Sequence, residues 1–150
     1  MGTRYKGSRQ ERLALDAYTK LIRAADTVAA RAQRHLCRWK ITASQFGALE
    51  ALYHLGPLCP SVLAQKLLKS DGNLTVVIDN LQRRGWARRV RDAQDRRFLS
   101  VQLTPAGRRL VERIFPEHVG QIVRAVGPLS CAQLEQMGRL CRAVGKRVHR

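Results

Sequence analysis

Aromatic and acidic residues are both scarce in this chain. Phe, Tyr and Trp together make up 5% of it, so most of the 45% apolar content falls to Ala, Leu and Val. Those residues suit closely packed helices better than a sheet sandwich. Asp and Glu number 11 against 28 Lys and Arg, a formal charge of +17 with a pI near 11.3. Self-repulsion on this scale works against a compact state. The imbalance therefore points to a polyanionic partner, either nucleic acid or an anionic membrane surface. Arg far outnumbers Lys, and its planar fork makes bidentate contacts with phosphate and guanine. Genome base composition would account for Arg over Lys, but not for the shortage of acids.

Other absences narrow the class further. Cys37, Cys59, Cys131 and Cys141 form no CxxC pair, which argues against a zinc ribbon or a disulfide framework and favours a reducing, cytoplasmic setting. No apolar run approaches the ~18 residues of a membrane-spanning helix. The first 25 residues carry charge throughout and lack a secretory pattern. No nucleophile–base set, phosphate-cradling glycine loop or metal quartet stands at motif spacing, so neither an enzyme nor a cofactor is expected. His35 and Cys37 are too few to hold a metal. A membrane-surface protein would need a basic amphipathic helix with large apolar anchors, whereas the basic density here peaks in a short stretch after residue 82. At 150 residues, one compact domain is expected.

What is present is helical periodicity, then a break in it. Residues 1–9 read as a basic arm. Leu13, Ala17, Leu21, Ala25, Val28, Ala32 and Leu36 recur three or four apart and predict a long helix ending near Trp39. Thr42 and Gln45 form a capping box for a second helix carrying Phe46, Leu49, Leu52 and Tyr53, which Gly56-Pro57 ends. Pro60 opens a short helix with Val62, Leu63, Leu67 and Leu68. Ser70-Asp71-Gly72 reads as a turn into another helix, with Leu74, Val77, Ile78 and Leu81 on one face and Arg84-Gly85 at its end. Two short helices joined by a tight turn are a helix-turn-helix. The period then changes to 2: residues 87–91 and 98–103 read as two strands joined by a turn over 92–95. Thr104-Pro105 launches a helix to about Val126. Ser130 and Gln133 cap a last one, striped with Leu134, Met137, Leu140, Cys141, Val144 and Val148, among which Cys141 is expected in a core.

The segments Gly72-Asn-Leu-Thr-Val-Val-Ile-Asp-Asn-Leu81, Arg83-Arg-Gly85, Arg91-Asp-Ala-Gln-Asp-Arg-Arg97 and Val101-Gln-Leu-Thr-Pro-Ala-Gly107 resemble the MarR (multiple antibiotic resistance regulator) family. The resemblance runs from about Ile41 to His118, and its wing pattern, D-x-R followed by V-x-L-T-x-x-G, is specific. It implies a mainly α fold with a small β-hairpin wing: a winged helix-turn-helix over about 42–107, flanked by dimerisation helices over about 10–39 and 108–149. The implied activity is transcriptional regulation, as a repressor, by a homodimer on double-stranded DNA at a pseudo-palindromic operator. A sequence-neutral architectural DNA-binding protein is the alternative.

The residues themselves allow a division of labour. With Leu74, Val77, Ile78 and Leu81 turned inward, Asp71, Asn73, Thr75, Val76, Asn80 and Arg83 face outward or flank. Asn73 suits an adenine edge, Thr75 a base or phosphate, and Val76 a thymine methyl. Ser70, Asp71 and the free amides of the helix start lie where a phosphate approaches, although capping would also explain Asn73 and Thr75. Seven of the fifteen residues from Arg83 to Arg97 are Arg. Arg84, Arg88, Arg91 and Arg96 are expected on phosphates, with Arg83 beside them. By the resemblance, Arg97 enters the minor groove with Asp95 bracing it. The family also implies DNA release by a small phenolic or other aromatic effector, or by cysteine oxidation. Cys59, at a helix start where a thiolate is favoured, is the thiol of interest, although an unreactive small residue filling a cap site is the favoured reading.

Overall fold

Side-chain caps decide where the helices begin. In this computed structural model, which describes residues 4–68, 70–91 and 99–145, Thr42 Oγ1 accepts the Gln45 amide at 3.2 Å and Gln45 Oε1 accepts the Thr42 amide at 3.0 Å. This reciprocal box starts α2, Ala43–Leu55. Ser130 and Gln133 repeat it at 3.4 and 2.8 Å to start α6, Cys131–Gly145. A third box lies inside the stretch read as a basic arm: the Ser8 amide donates to Glu11 at 2.7 Å and Ser8 Oγ accepts the Glu11 amide at 3.2 Å. It opens α1, Arg9–Gln33, and its hydrogen bonds hold the Glu11 carboxyl below its usual range.

The expected long first helix changes character before its end. α1 stops at Gln33 and the chain tightens into a 3-10 helix, Arg34–Trp39, closed by Lys40 at φ 50°. That last turn buries His35 and Leu36 and delivers Ile41 to the core. α3, Pro60–Lys66, has its proline in the first turn. α4, Asp71–Arg83, begins one residue after Ser70, whose hydroxyl accepts the Asn73 amide. Asp71 and Gly72 are therefore helical rather than a turn. The left-handed residue of the connection is Leu68, at φ 51°.

The hairpin pairs β1, Ala87–Arg91, antiparallel with β2, Leu99–Leu103, Ala87 opposite Leu103 and Arg91 opposite Leu99. Leu58, between α2 and α3, adds two hydrogen bonds to Val101, at 2.8 and 3.1 Å. α5 follows, Pro105–Val126, and Thr104 ties its start to the hairpin's root. The Thr104 hydroxyl donates to the Gly85 carbonyl at 2.6 Å and accepts the Gly107 amide at 3.0 Å, while its own amide donates to the Trp86 carbonyl at 3.1 Å. Gly107 is required there: an added Cβ would lie 1.9 Å from the Trp86 carbonyl oxygen. This close approach is the physical content of the T-x-x-G motif.

The chain divides into two compact units, Ala32–Gly120 and the pairing of Met1–Arg31 with Gln121–Arg150. The first holds the core: Phe46, Leu49, Leu63, Leu74, Ile78, Leu81, Val101, Val111 and Ile114 are all fully buried. In the second, apolar side chains lie open. Leu13, Tyr18, Ile22 and Met137 are exposed, as are Leu140 at 61% and Val144 at 74%. No residue of α6 is buried, and Cys141, expected in a core, is exposed.

The Gly107 contact predicts that Gly107→Ala destabilises the fold by about 1–3 kcal/mol, because backbone rather than a mobile side chain must give way. Urea unfolding measures it, and an unchanged midpoint would refute the account.

Candidate nucleic-acid interface

Burial of one stripe of α4 fixes what the helix shows to solvent. Leu74, Ile78 and Leu81 are buried at spacings of four and three, and Val77 is half-buried beside them. Asn73, Thr75 and Val76 are consequently exposed, Val76 at 60%. Capping is done by Ser70, whose hydroxyl accepts the Asn73 amide, so the Asn73 side chain is not used as the N-cap. Asp71 belongs to the first turn of α4.

An open groove of about 410 Å³ runs beside this face, lined by Thr42, Ser44 and Gln45 of the α2 start and by Asn73, Val76, Val77 and Asn80 of α4. Its walls present hydroxyls and amides with apolar patches between them. Asn80 sits deeper, its Nδ2 donating to the Val76 carbonyl at 2.9 Å and its Oδ1 accepting from Arg83. Arg83 is thereby held along the helix. No sequence signal points to the contribution of α2 to this groove, because adjacency of two helix starts requires the tertiary fold.

The arginines divide by environment. Arg84 lies 3.6 Å from the centre of the Trp86 ring and donates to the Lys40 carbonyl at the close of the 3-10 helix. It thus has a structural task alongside the phosphate contact expected of it. Arg88 and Arg91 are exposed on β1. Arg89, not singled out in the sequence, is half-buried: it pairs with Asp79 of α4 at 2.6 Å and donates to Gln82 Oε1. This strut joins strand to recognition helix, and its partners ten and seven residues apart fit no periodic template. Asp95, Arg96 and Arg97 lie outside the described residues. Cys59 occupies the N-cap of α3, half-buried, and its thiol makes no capping hydrogen bond. His54 stacks edge-on with Tyr53 and Phe115.

A helix-turn-helix with one helix face exposed, followed by a basic two-stranded hairpin, defines a winged-helix DNA-binding domain. Comparison with known proteins agrees. The sequence profile of the MarR family matches residues 39–97. YkoM of Bacillus subtilis, a helix-turn-helix-type transcriptional regulator, is 32% identical over 88% of this chain and 86% of its own length. The structure of BpsR from Bordetella bronchiseptica, a protein whose DNA binding is regulated by 6-hydroxynicotinic acid, superposes with a TM-score of 0.78 at 30% identity, over 87% of this chain and 99% of that one. Sco3205 of Streptomyces coelicolor, a MarR family regulator solved in complex with DNA, shares the fold at a TM-score of 0.82 and 23% identity, over 97% and 92% of the two chains. The chain belongs to the MarR family of DNA-binding transcriptional regulators, which are not enzymes. Among the described residues, no helix is long and apolar enough to cross a membrane.

The two kinds of arginine separate experimentally. Arg84→Met is expected to cost about 1 kcal/mol of stability through the lost ring contact and carbonyl bond. Arg88→Met should stay within about 0.5 kcal/mol of the parent. Chemical denaturation measures both, and equal effects would remove the distinction.

Proposed function

We propose that this protein is a sequence-specific repressor that binds a pseudo-palindromic operator as a homodimer in the bacterial cytoplasm. The observation that carries this reading is the exposed triplet Asn73, Thr75 and Val76 at the start of α4, beside a groove of mixed polar and apolar lining and next to a basic hairpin. Asn73 pairs with an adenine edge, Thr75 with a base or phosphate, and Val76 with a thymine methyl. Ser70, Asp71 and the helix start approach a phosphate. Arg83, Arg84, Arg88, Arg91 and Arg96 neutralise phosphates, and Arg97, braced by Asp95, enters the minor groove.

The dimer is supported by the open apolar faces of α1 and α6, which a second copy would cover. This assigns dimerisation to about 10–39 and 108–149, and DNA binding to about 42–107. A small aromatic acid or phenol, as the behaviour of BpsR suggests, is the class of effector that releases DNA. Oxidation of Cys59 is the less favoured signal.

Selection of duplexes from random DNA tests the reading. A two-fold symmetric consensus is expected, whereas binding without any consensus would make the protein an architectural binder. On the selected duplex, Asn73→Ala should cost about 1–3 kcal/mol while leaving random DNA almost unaffected. Arg88→Ala and Arg91→Ala should instead weaken binding to every sequence and each lower the salt slope by about one. For assembly, Leu140→Glu is expected to shift sedimentation from dimer to monomer, and an unshifted boundary would contradict the assignment of α6.

A further inference from the structure

Two imidazoles are buried against each other in the Ala32–Gly120 unit. His35, in the 3-10 helix, is 4% exposed, and His118, in α5, is 8% exposed. Their ring centres are 5.2 Å apart, and His118 packs edge-on against Phe46 of α2 at 4.8 Å. Neither nitrogen of His35 nor Nδ1 of His118 has a hydrogen-bond partner among the described residues. Buried polar atoms are normally satisfied, and three orphans in one contact require an explanation. A metal does not supply it, because no third His, Cys, Asp or Glu joins the pair among the described residues.

The surroundings disfavour a proton on either ring. Burial pushes each imidazole below its ordinary range. The Arg38 guanidinium, on the 3-10 helix, further disfavours a proton on His35, and that arginine is itself paired with Glu117 of α5. Glu50, on α2, favours a proton on His118, and a charged His35 opposes it. The Ala32 carbonyl favours protonation of both rings. In an unfolded chain the same imidazoles take protons at about pH 6.5. The folded state is therefore at full strength above that pH, and loses stability as pH falls from there toward the lower folded values.

A charge buried in this contact is relieved by water once the elements that enclose it part. Those elements are wired to the DNA-reading face. The 3-10 helix ends at Lys40, whose carbonyl is held by Arg84 at the close of α4. α2, which carries Phe46 and Glu50, forms with its first turn one wall of the groove beside Asn73 and Val76.

We propose that the His35–His118 pair is a proton sensor: mild acid charges this contact, parts the 3-10 helix from α5 and α2, and lowers affinity for DNA. The inference rests on the DNA-binding reading above and adds to it a signal that needs no effector molecule.

The test uses the full chain and a duplex selected from random DNA at about pH 7.5, with affinity followed down to about pH 5.5. Failure to select or bind any duplex at the higher pH would defeat the DNA-binding reading itself, separately from the sensor. Wild-type affinity is expected to fall by about tenfold or more across that range, with far-ultraviolet circular dichroism retained. The His35→Phe/His118→Phe double variant removes the orphaned nitrogens and keeps aromatic packing, and it should bind almost equally at both ends. His35→Leu and His118→Leu serve if phenylalanine does not fit. Glu50→Gln removes the group that favours a proton on His118, so the wild-type midpoint should move to lower pH. A pH response unchanged in the histidine variants, a midpoint moving upward in Glu50→Gln, no response in the wild type, or global unfolding at the lower pH would each overturn the proposal.

Discussion

The exposed face of α4 depends on one constraint, the burial of Leu74, Ile78 and Leu81 against the core of the Ala32–Gly120 unit. Each of these side chains contributes on the order of 2 kcal/mol by leaving water. A rotation of α4 about its axis would forfeit that contribution and bring the polar Asn73 toward an apolar core. Apolar burial thus sets the azimuth of the polar residues. The remaining local interactions refine that setting: Ser70 fixes where the helix starts, and the strut from Asp79 to Arg89 fixes the hairpin relative to it.

The strongly positive chain pairs a subset of its arginines with partners of its own. Arg84 rests on Trp86 and Lys40, Arg89 on Asp79 and Gln82, and Arg38 on Glu117. Such partners lower the local field and leave Arg88 and Arg91 facing solvent on the same strand. Basic residues close in sequence therefore serve different ends, and net charge alone does not say which.

Much of the fold was legible in the sequence because its signals are local. Thr42 with Gln45, Ser130 with Gln133, and Pro60 and Pro105 at helix starts are short-range chemistry, and each operates as expected. The Ser8–Glu11 box used the same chemistry but stood in a stretch whose charge and glycines suggested an arm. Gly72 suggests a hinge two residues beyond the N-cap that starts α4. Ser70 instead starts the helix early and Leu68 takes the left-handed conformation, fully 85% exposed. The exposed triplet on α4 followed from the stripe of inward residues. The Leu58 bridge, the Arg89 strut and the paired histidines did not, because each joins residues that only the tertiary fold brings together.

The root of the hairpin is clamped on both sides, through Gly85 and Trp86 by Thr104 and through Val101 by Leu58. Gly107 removes the slack that a side chain would need. A hairpin seated this firmly cannot be swung to follow a different DNA shape without disturbing the first turn of α5. A new target preference would therefore come more readily from exchanged side chains on this fixed chassis than from a re-aimed hairpin.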